Sequence, residues 1–213
     1  MHDIKAPIGG VQLRCEALLE EGVDPVVGAA LGSIVDACAR INLYLVNVLT
    51  AAQAEGGWMA ARREVVLLPG LIEDVSEQVS PLAERHRLKI VTEADPALPA
   101  VLGDPVLLER ALLNLASNAL AATPPGGTVG LFARREGREV VLGSWDTGPG
   151  FTTFRPEEAF SRSRPRVMHE SLRTSSGLGL FIVARIAEAH GGRAGAANRP
   201  EGGAIVEMRI PLA

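Results

Sequence analysis

Residues 105–122 read PVLLERALLNLASNALAA, and their spacing predicts one long helix. Asp104 is a good N-cap, and Pro105 falls at the first helical position, where its missing N–H costs nothing. Leu108, Ala111, Leu112, Leu115 and Ala119 recur at three- and four-residue steps and make one apolar face. Asn114 and Asn118 break that pattern. They lie one turn apart, so both amides leave the same side of the helix. Asn is a mediocre helix former, and two in an apolar helix need a reason. They are either solvent-facing amides or a ladder that holds a metal ion and a polyphosphate, and the rest of the chain decides between these.

The chain has 213 residues, 47% hydrophobic and 22% charged. That suffices for a helical module and one α/β domain with a buried core. A net charge of −4 argues against a broad nucleic-acid surface. Cys15 and Cys38 both fall inside helical patterns and read as buried free thiols of a reducing compartment. No apolar run has the length of a membrane span, and no signal-peptide pattern opens the chain. These features predict a cytoplasmic protein with no membrane contact of its own, or the cytosolic part of a larger protein.

Up to residue 54 the pattern is two helices. Ile4, Ile8, Val11, Cys15 and Leu18 form a coiled-coil seam. The break EGVDP at 21–25 ends one helix and opens the next. Val27, Ile34, Ile41 and Val48 then repeat every seven residues. A lone hairpin of this length hides too little apolar surface, so two copies are expected to pair as a homodimeric four-helix bundle. His2 and Asp3 open the first helix. Asp3 is suited to orient and deprotonate the imidazole, leaving the other ring nitrogen as a nucleophile. Pro7 inside the helix costs about 3 kcal/mol and bends it, a poor choice for a purely structural seam. The heptads stop at EGGWMAAR, residues 55–62, a hinge in which Trp58 is expected to pack.

From residue 63 the pattern mixes helices and strands. Strands are expected at 65–68, 88–92, 99–102, 128–133, 139–145, 194–197 and 204–210, and helices at 71–85, 105–122 and 177–190. This order suggests helices layered on one face of a mixed sheet. Two glycine-rich turns carry chemistry. DTGPG (146–150) follows a strand, and its backbone can approach a flat ligand closely, with Asp146 placed to accept from an exocyclic amine such as that of adenine. SSGLGL (175–180) opens a helix, where Gly177 and Gly179 free backbone N–H groups for an anion. It is neither a Walker motif nor a dinucleotide fingerprint. Between the two lie Arg155, Arg162, Arg164, Arg166 and Arg173, a loop suited to closing over a polyphosphate.

Taken in order, these motifs resemble a bacterial sensor histidine kinase of two-component signalling. HDIKAP (2–7) resembles the phospho-acceptor box, NLASNA (114–119) the asparagine box, and DTGPG and SGLGL (176–180) the two glycine boxes. Phe160-Ser161-Arg162 resembles the phenylalanine box of the nucleotide lid, and GGAIVEMRIPL the last strand. The resemblance implies an α+β chain: a dimerisation and phosphotransfer hairpin at 1–56, a hinge at 57–63, and an ATP-binding domain of the Bergerat (GHKL) type at 64–213. It implies ATP and Mg²⁺ as cofactors, His2 as phosphoryl acceptor and Asp3 as general base. Asn114 and Asn118 would hold the metal and phosphates. Asp146 would read adenine in a pocket shaped by Gly148 and Gly150. Gly177, Leu178 and Gly179 would support lid and triphosphate, and Arg162 would touch the phosphates. The partner would be the receiver domain of a response regulator.

Some positions depart from that pattern. Ala6 stands where many members carry Thr or Asn to orient a water, which predicts weak phosphatase activity. Ala121, Ala122 and Ser175 replace residues that often touch the nucleotide, which predicts low affinity. Two other readings compete. In ATPases of the chaperone and topoisomerase kind the residue four before the magnesium Asn is a Glu base; here it is Asn114, which cannot act as a base. A non-catalytic phosphotransfer scaffold would keep the hairpin but lose the glycine boxes, which are mostly intact here.

Overall fold

In the computed structural model the chain divides into two compact units, Met1–Thr50 and Ala51–Ala213. Residues 2–55, 61–152, 155–161 and 178–212 are described. Trp58, Arg162, Arg164, Arg166, Arg173, Ser175 and Gly177 lie outside them, as do the side chains of His2 and Asp3.

The first unit is built on α1 (His2–Glu20) and the start of α2 (Pro25–Glu55). Asp24 and Pro25 open α2 by the expected chemistry: the Asp24 carboxylate accepts from the Val26 N–H at 2.9 Å, and Pro25 takes the first helical position. Pro7 is accommodated inside α1. Cys15, Val35 and Cys38 are buried, and both cysteines are free thiols. By contrast Val27, Ile34, Ile41 and Val48 are each 42–54% exposed, an apolar stripe at seven-residue spacing that a single copy leaves open.

The second unit contains β1 (Glu64–Val66), α3 (Leu68–Arg85), β2 (Lys89–Ala94), β3 (Val101–Gly103), α4 (Pro105–Ala122), β4 (Thr128–Glu136), β5 (Glu139–Asp146), α5 (Leu178–Ala189), β6 (Arg193–Asn198) and β7 (Ala204–Pro211). A 3-10 turn, Pro156–Phe160, interrupts the stretch after β5. β1 pairs with β3 as a small antiparallel sheet. The main sheet has the order β2-β4-β5-β7-β6, with β2 parallel to β4 and every other pair antiparallel. Two expectations shift. The first strand ends at Val66, and α3 begins at Leu68, because Pro69 sits in the first turn of the helix, where its missing N–H is harmless. The β4–β5 turn is only two residues, Gly137-Arg138, and Gly137 supplies the positive φ such a loop needs.

Alternation along the strands decides where the core lies. Val129, Leu131 and Ala133 of β4, Val140 and Leu142 of β5, and Val206, Met208 and Ile210 of β7 share one buried cluster with α3, α4 and α5. The other face carries Phe132 beneath Arg134, and Trp145 beneath Arg199, with the cations 4.6 and 4.2 Å from the ring centres. Helices therefore cover one face of a mixed sheet. α4 lies over β5, where the Ser144 hydroxyl donates to the Leu115 carbonyl at 3.2 Å.

Candidate functional site

The asparagine helix is held at both ends. At its start Asp104 accepts from the Val106 and Leu107 N–H groups at 3.0 and 3.1 Å. At its end the Thr123 hydroxyl and N–H both return to the Ala119 carbonyl, and Pro124 and Pro125 follow. Between these ends Asn114 is 2% exposed and donates from Nδ2 to the Arg110 carbonyl at 3.1 Å. Among the described residues the Asn118 Nδ2 is buried with no hydrogen-bond partner. A buried amide nitrogen of this kind calls for an acceptor, which a phosphate oxygen would supply.

The second glycine box supplies the surface these amides face. A Cβ at Gly179 would stand 3.3 Å from both the Asn114 Oδ1 and the Asn118 Nδ2. The bare Cα at the start of α5 is therefore what leaves room beside the two amides. Leu178 opens α5 and packs against the core.

The first glycine box meets the other end of the same helix. A Cβ at Gly148 would stand 2.5 Å from the Ala122 carbonyl and 2.9 Å from the Asp146 Oδ1. Asp146 is 5% exposed, and its Oδ1 accepts from the Gly148 N–H at 2.8 Å and the Ala204 N–H at 3.3 Å. Among the described residues both bonds land on Oδ1, which leaves Oδ2 as an acceptor. Burial pushes the Asp146 carboxyl up; the two N–H groups and the nearby Arg199 guanidinium oppose that shift. Gly150 sits at φ +72, and a Cβ there would press on the Asn198 side chain at 2.7 Å. Asn114, Asn118, Asp146, Gly148 and Gly179 thus converge around α4, with Gly150 closing the turn.

Sequence reasoning missed three residues that hold this turn. The Asn198 Oδ1 accepts from the Phe151 N–H at 2.6 Å while its Nδ2 donates to the Phe151 carbonyl at 3.1 Å, clamping the backbone after Gly150. Arg199 donates to the Asp146 carbonyl at 3.1 Å. Gly203, at φ +86, lets its backbone pass against the Asp146 carbonyl, where any Cβ would collide. The pair Gly202-Gly203 was a visible turn signal; Asn198 had none.

This arrangement can be set beside known proteins. Residues 103–213, just over half of the chain, match the family described as histidine kinase-, DNA gyrase B- and HSP90-like ATPase. The chain belongs to that family. Its curated relatives are sensor kinases. It is 32% identical to the sensor protein CreC of Escherichia coli strain K12, over 98% of this chain and 43% of CreC. It is also 32% identical to the sensor protein SphS of Synechococcus elongatus, over 99% of this chain and 52% of SphS. The crystal structure of full-length ShkA in complex with AMPPNP superposes on all of this chain and 44% of ShkA, with a TM-score of 0.67 and 28% identity. The chain therefore spans about half the length of these relatives. The α+β fold and the histidine-kinase resemblance expected from the motifs both hold, and residues 103–213 of the second unit carry the family's ATPase fold. Among its described residues no helix is long and apolar enough to cross a membrane.

Proposed function

We propose that this chain is the transmitter part of a two-component sensor kinase: a homodimer that binds ATP with Mg²⁺, phosphorylates its own His2, and passes the phosphoryl group to an aspartate on a receiver domain. The observation that carries the reading is the bare Gly179 set against the Asn114 and Asn118 amides, one of which has a buried, unpartnered nitrogen. The segments divide as the resemblance implies, with the hairpin at 1–56 as phosphotransfer stem, 57–63 as hinge and 64–213 as nucleotide domain.

The residues fit the ligands. Among the described residues no group of three or more His, Cys, Asp or Glu stands ready for a metal. The hard oxygen donors are the amides of Asn114 and Asn118, and magnesium readily completes such a set with phosphate oxygens and water. When bound, the ion neutralises charge on the phosphates during transfer. The Asp146 Oδ2 accepts from the adenine amine, while Gly148 and Gly150 allow the base close to the backbone. As the resemblance implies, Gly177, Leu178 and Gly179 would serve the phosphates beside α5, and Arg162 would contact them. At His2 a ring nitrogen takes the γ-phosphoryl group: the N–P bond forms as the P–O bond to ADP breaks, and the ring proton passes to Asp3. Preorganised dipoles matter more than covalent chemistry in such a transfer.

The test is incubation with γ-labelled ATP and Mg²⁺. The chain should acquire acid-labile, base-stable label, and both His2→Ala and Asn118→Ala should abolish it. Steady ATP turnover that survives His2→Ala would point instead to an ATPase without phosphotransfer.

A further inference from the structure

His190 closes α5 on the side of the domain away from the glycine boxes. Its ring has two partners of opposite kind. Nδ1 lies 2.8 Å from the Ile186 carbonyl, an acceptor, and Nε2 lies 2.9 Å from the Asp104 N–H, a donor. Only one protonation form satisfies both: a neutral imidazole with its proton on Nδ1. Asp104 in turn caps α4 through Oδ1 and accepts the Arg62 N–H on Oδ2 at 3.2 Å. Space is reserved for the ring, because a Cβ at Gly103 would stand 2.9 Å from its Cδ2.

The position of this bond gives it consequence. α4 and α5 pack along one buried cluster, and polar or glycine contacts mark the two ends of α5. At one, the end of α5 meets the start of α4 through His190. At the other, the start of α5 meets Asn114 and Asn118 through Gly179. Between these contacts the helices share one buried cluster, with Leu108, Leu112, Ile182 and Ile186 fully buried, so an anchor at the end of α5 limits how its start can tilt against the amides, where even one added methyl at Gly179 would crowd both.

We propose that His190 is a positioning residue for the nucleotide site: its neutral imidazole fastens the start of α4 to the end of α5 and so sets the gap between the paired amides and Gly179. The inference rests on the ATP reading above only for its effect on binding; its effect on the amides themselves does not.

The test compares His190→Phe, which fills the ring's space without an acceptor, and His190→Gln, whose Oε1 can replace Nε2. In the nucleotide-free chain, His190→Phe should shift the side-chain amide signals of Asn114 and Asn118 in ¹⁵N-labelled protein, and His190→Gln should restore them. The dissociation constant for AMPPNP should rise severalfold in His190→Phe, because the amides and Gly179 no longer meet at the set spacing, and return in His190→Gln. In the wild type, ring ¹⁵N spectra should show a proton on Nδ1 and none on Nε2. Should His190→Phe not fold, Gly103→Ala carries the same test, since it displaces the ring while leaving its nitrogens intact. Unmoved amide signals in a folded His190→Phe would overturn the proposal. A wild type that binds no AMPPNP would overturn the ATP reading alone, and the amide signals would still decide this one.

Discussion

At Gly179 a single hydrogen atom in place of a methyl separates a site from a closed surface. Gly179→Ala would bring a methyl to 3.3 Å from both amides. The Asn118 Nδ2 has no partner to hold it, so that side chain is the one that turns away. The expected result is a folded protein, with melting temperature within a few degrees of wild type, whose ATP affinity falls at least tenfold. Calorimetric titration alongside thermal melting separates the two effects. Asp146 makes a second prediction with a sign. Its folded-state carboxyl is raised, chiefly by burial, so the ionised form subtracts from stability as pH rises through that raised value. Acidification relieves the nucleotide-free domain while it removes the acceptor for the adenine amine. ATP affinity should therefore begin to fall at a pH above the ordinary aspartate range. Asp146→Asn should keep the fold, weaken ATP by about 10–100-fold, the worth of one charge-assisted hydrogen bond, and remove that pH dependence. An unchanged slope in the variant would show that another group reads the pH.

Whole elements were legible wherever chain chemistry marks their ends. The start of α4 was read to the residue because Asp104 and Pro105 state it, and its two amides could be placed on one face by period alone. β1 and α3 were misjudged because Leu67 and Leu68 prolong an apolar run that imitates a strand, while the deciding signal was Pro69. The clamp by Asn198 and the close pass of Gly203 were invisible, because each acts on a turn about fifty residues away through pairing that no local pattern records. The same limit hid the ion network on the open face of the sheet. Arg134, Glu136, Glu207 and Arg209 join β4 to β7 across β5 at 2.7–3.1 Å, and Arg193 pairs with Glu139 beside them. The arginines hold the Glu136 and Glu139 carboxyls low, so their contribution is present above the ordinary glutamate range and is lost as pH falls through the lowered values. Arg209→Gln would leave Glu136, Glu139 and Glu207 close together without their shared cation. It should cost on the order of 1 kcal/mol, since the pairs are partly screened by solvent, with more loss at low salt and a flatter acid limb of the stability curve. A melting temperature indifferent to both salt and pH would count against the network.

At the scale of the molecule, the hairpin raises the question of what hides its stripe. Among the described side chains of the first unit, Cys15, Val35 and Cys38 are the buried hydrophobic ones. Val27, Ile34, Ile41 and Val48 stand about half exposed, and Val11 and Leu18 of α1 are exposed to a similar degree. Half-exposed β-branched residues every seven positions suit the seam of a bundle, where a second copy offers the same surface back. Burying the exposed half of each is worth about 1 kcal/mol, and four of them on each of two chains supply several kcal/mol against the cost of association. Ile34→Asp combined with Ile41→Asp places two carboxylates in the middle of that seam, and neither residue belongs to the ATP-binding unit. Sedimentation should then give the mass of one chain instead of two, with helical content largely kept and ATP affinity unchanged. If the double variant sediments like the wild type, this stripe does not join the two copies, and the open face of α1 becomes the next surface to charge.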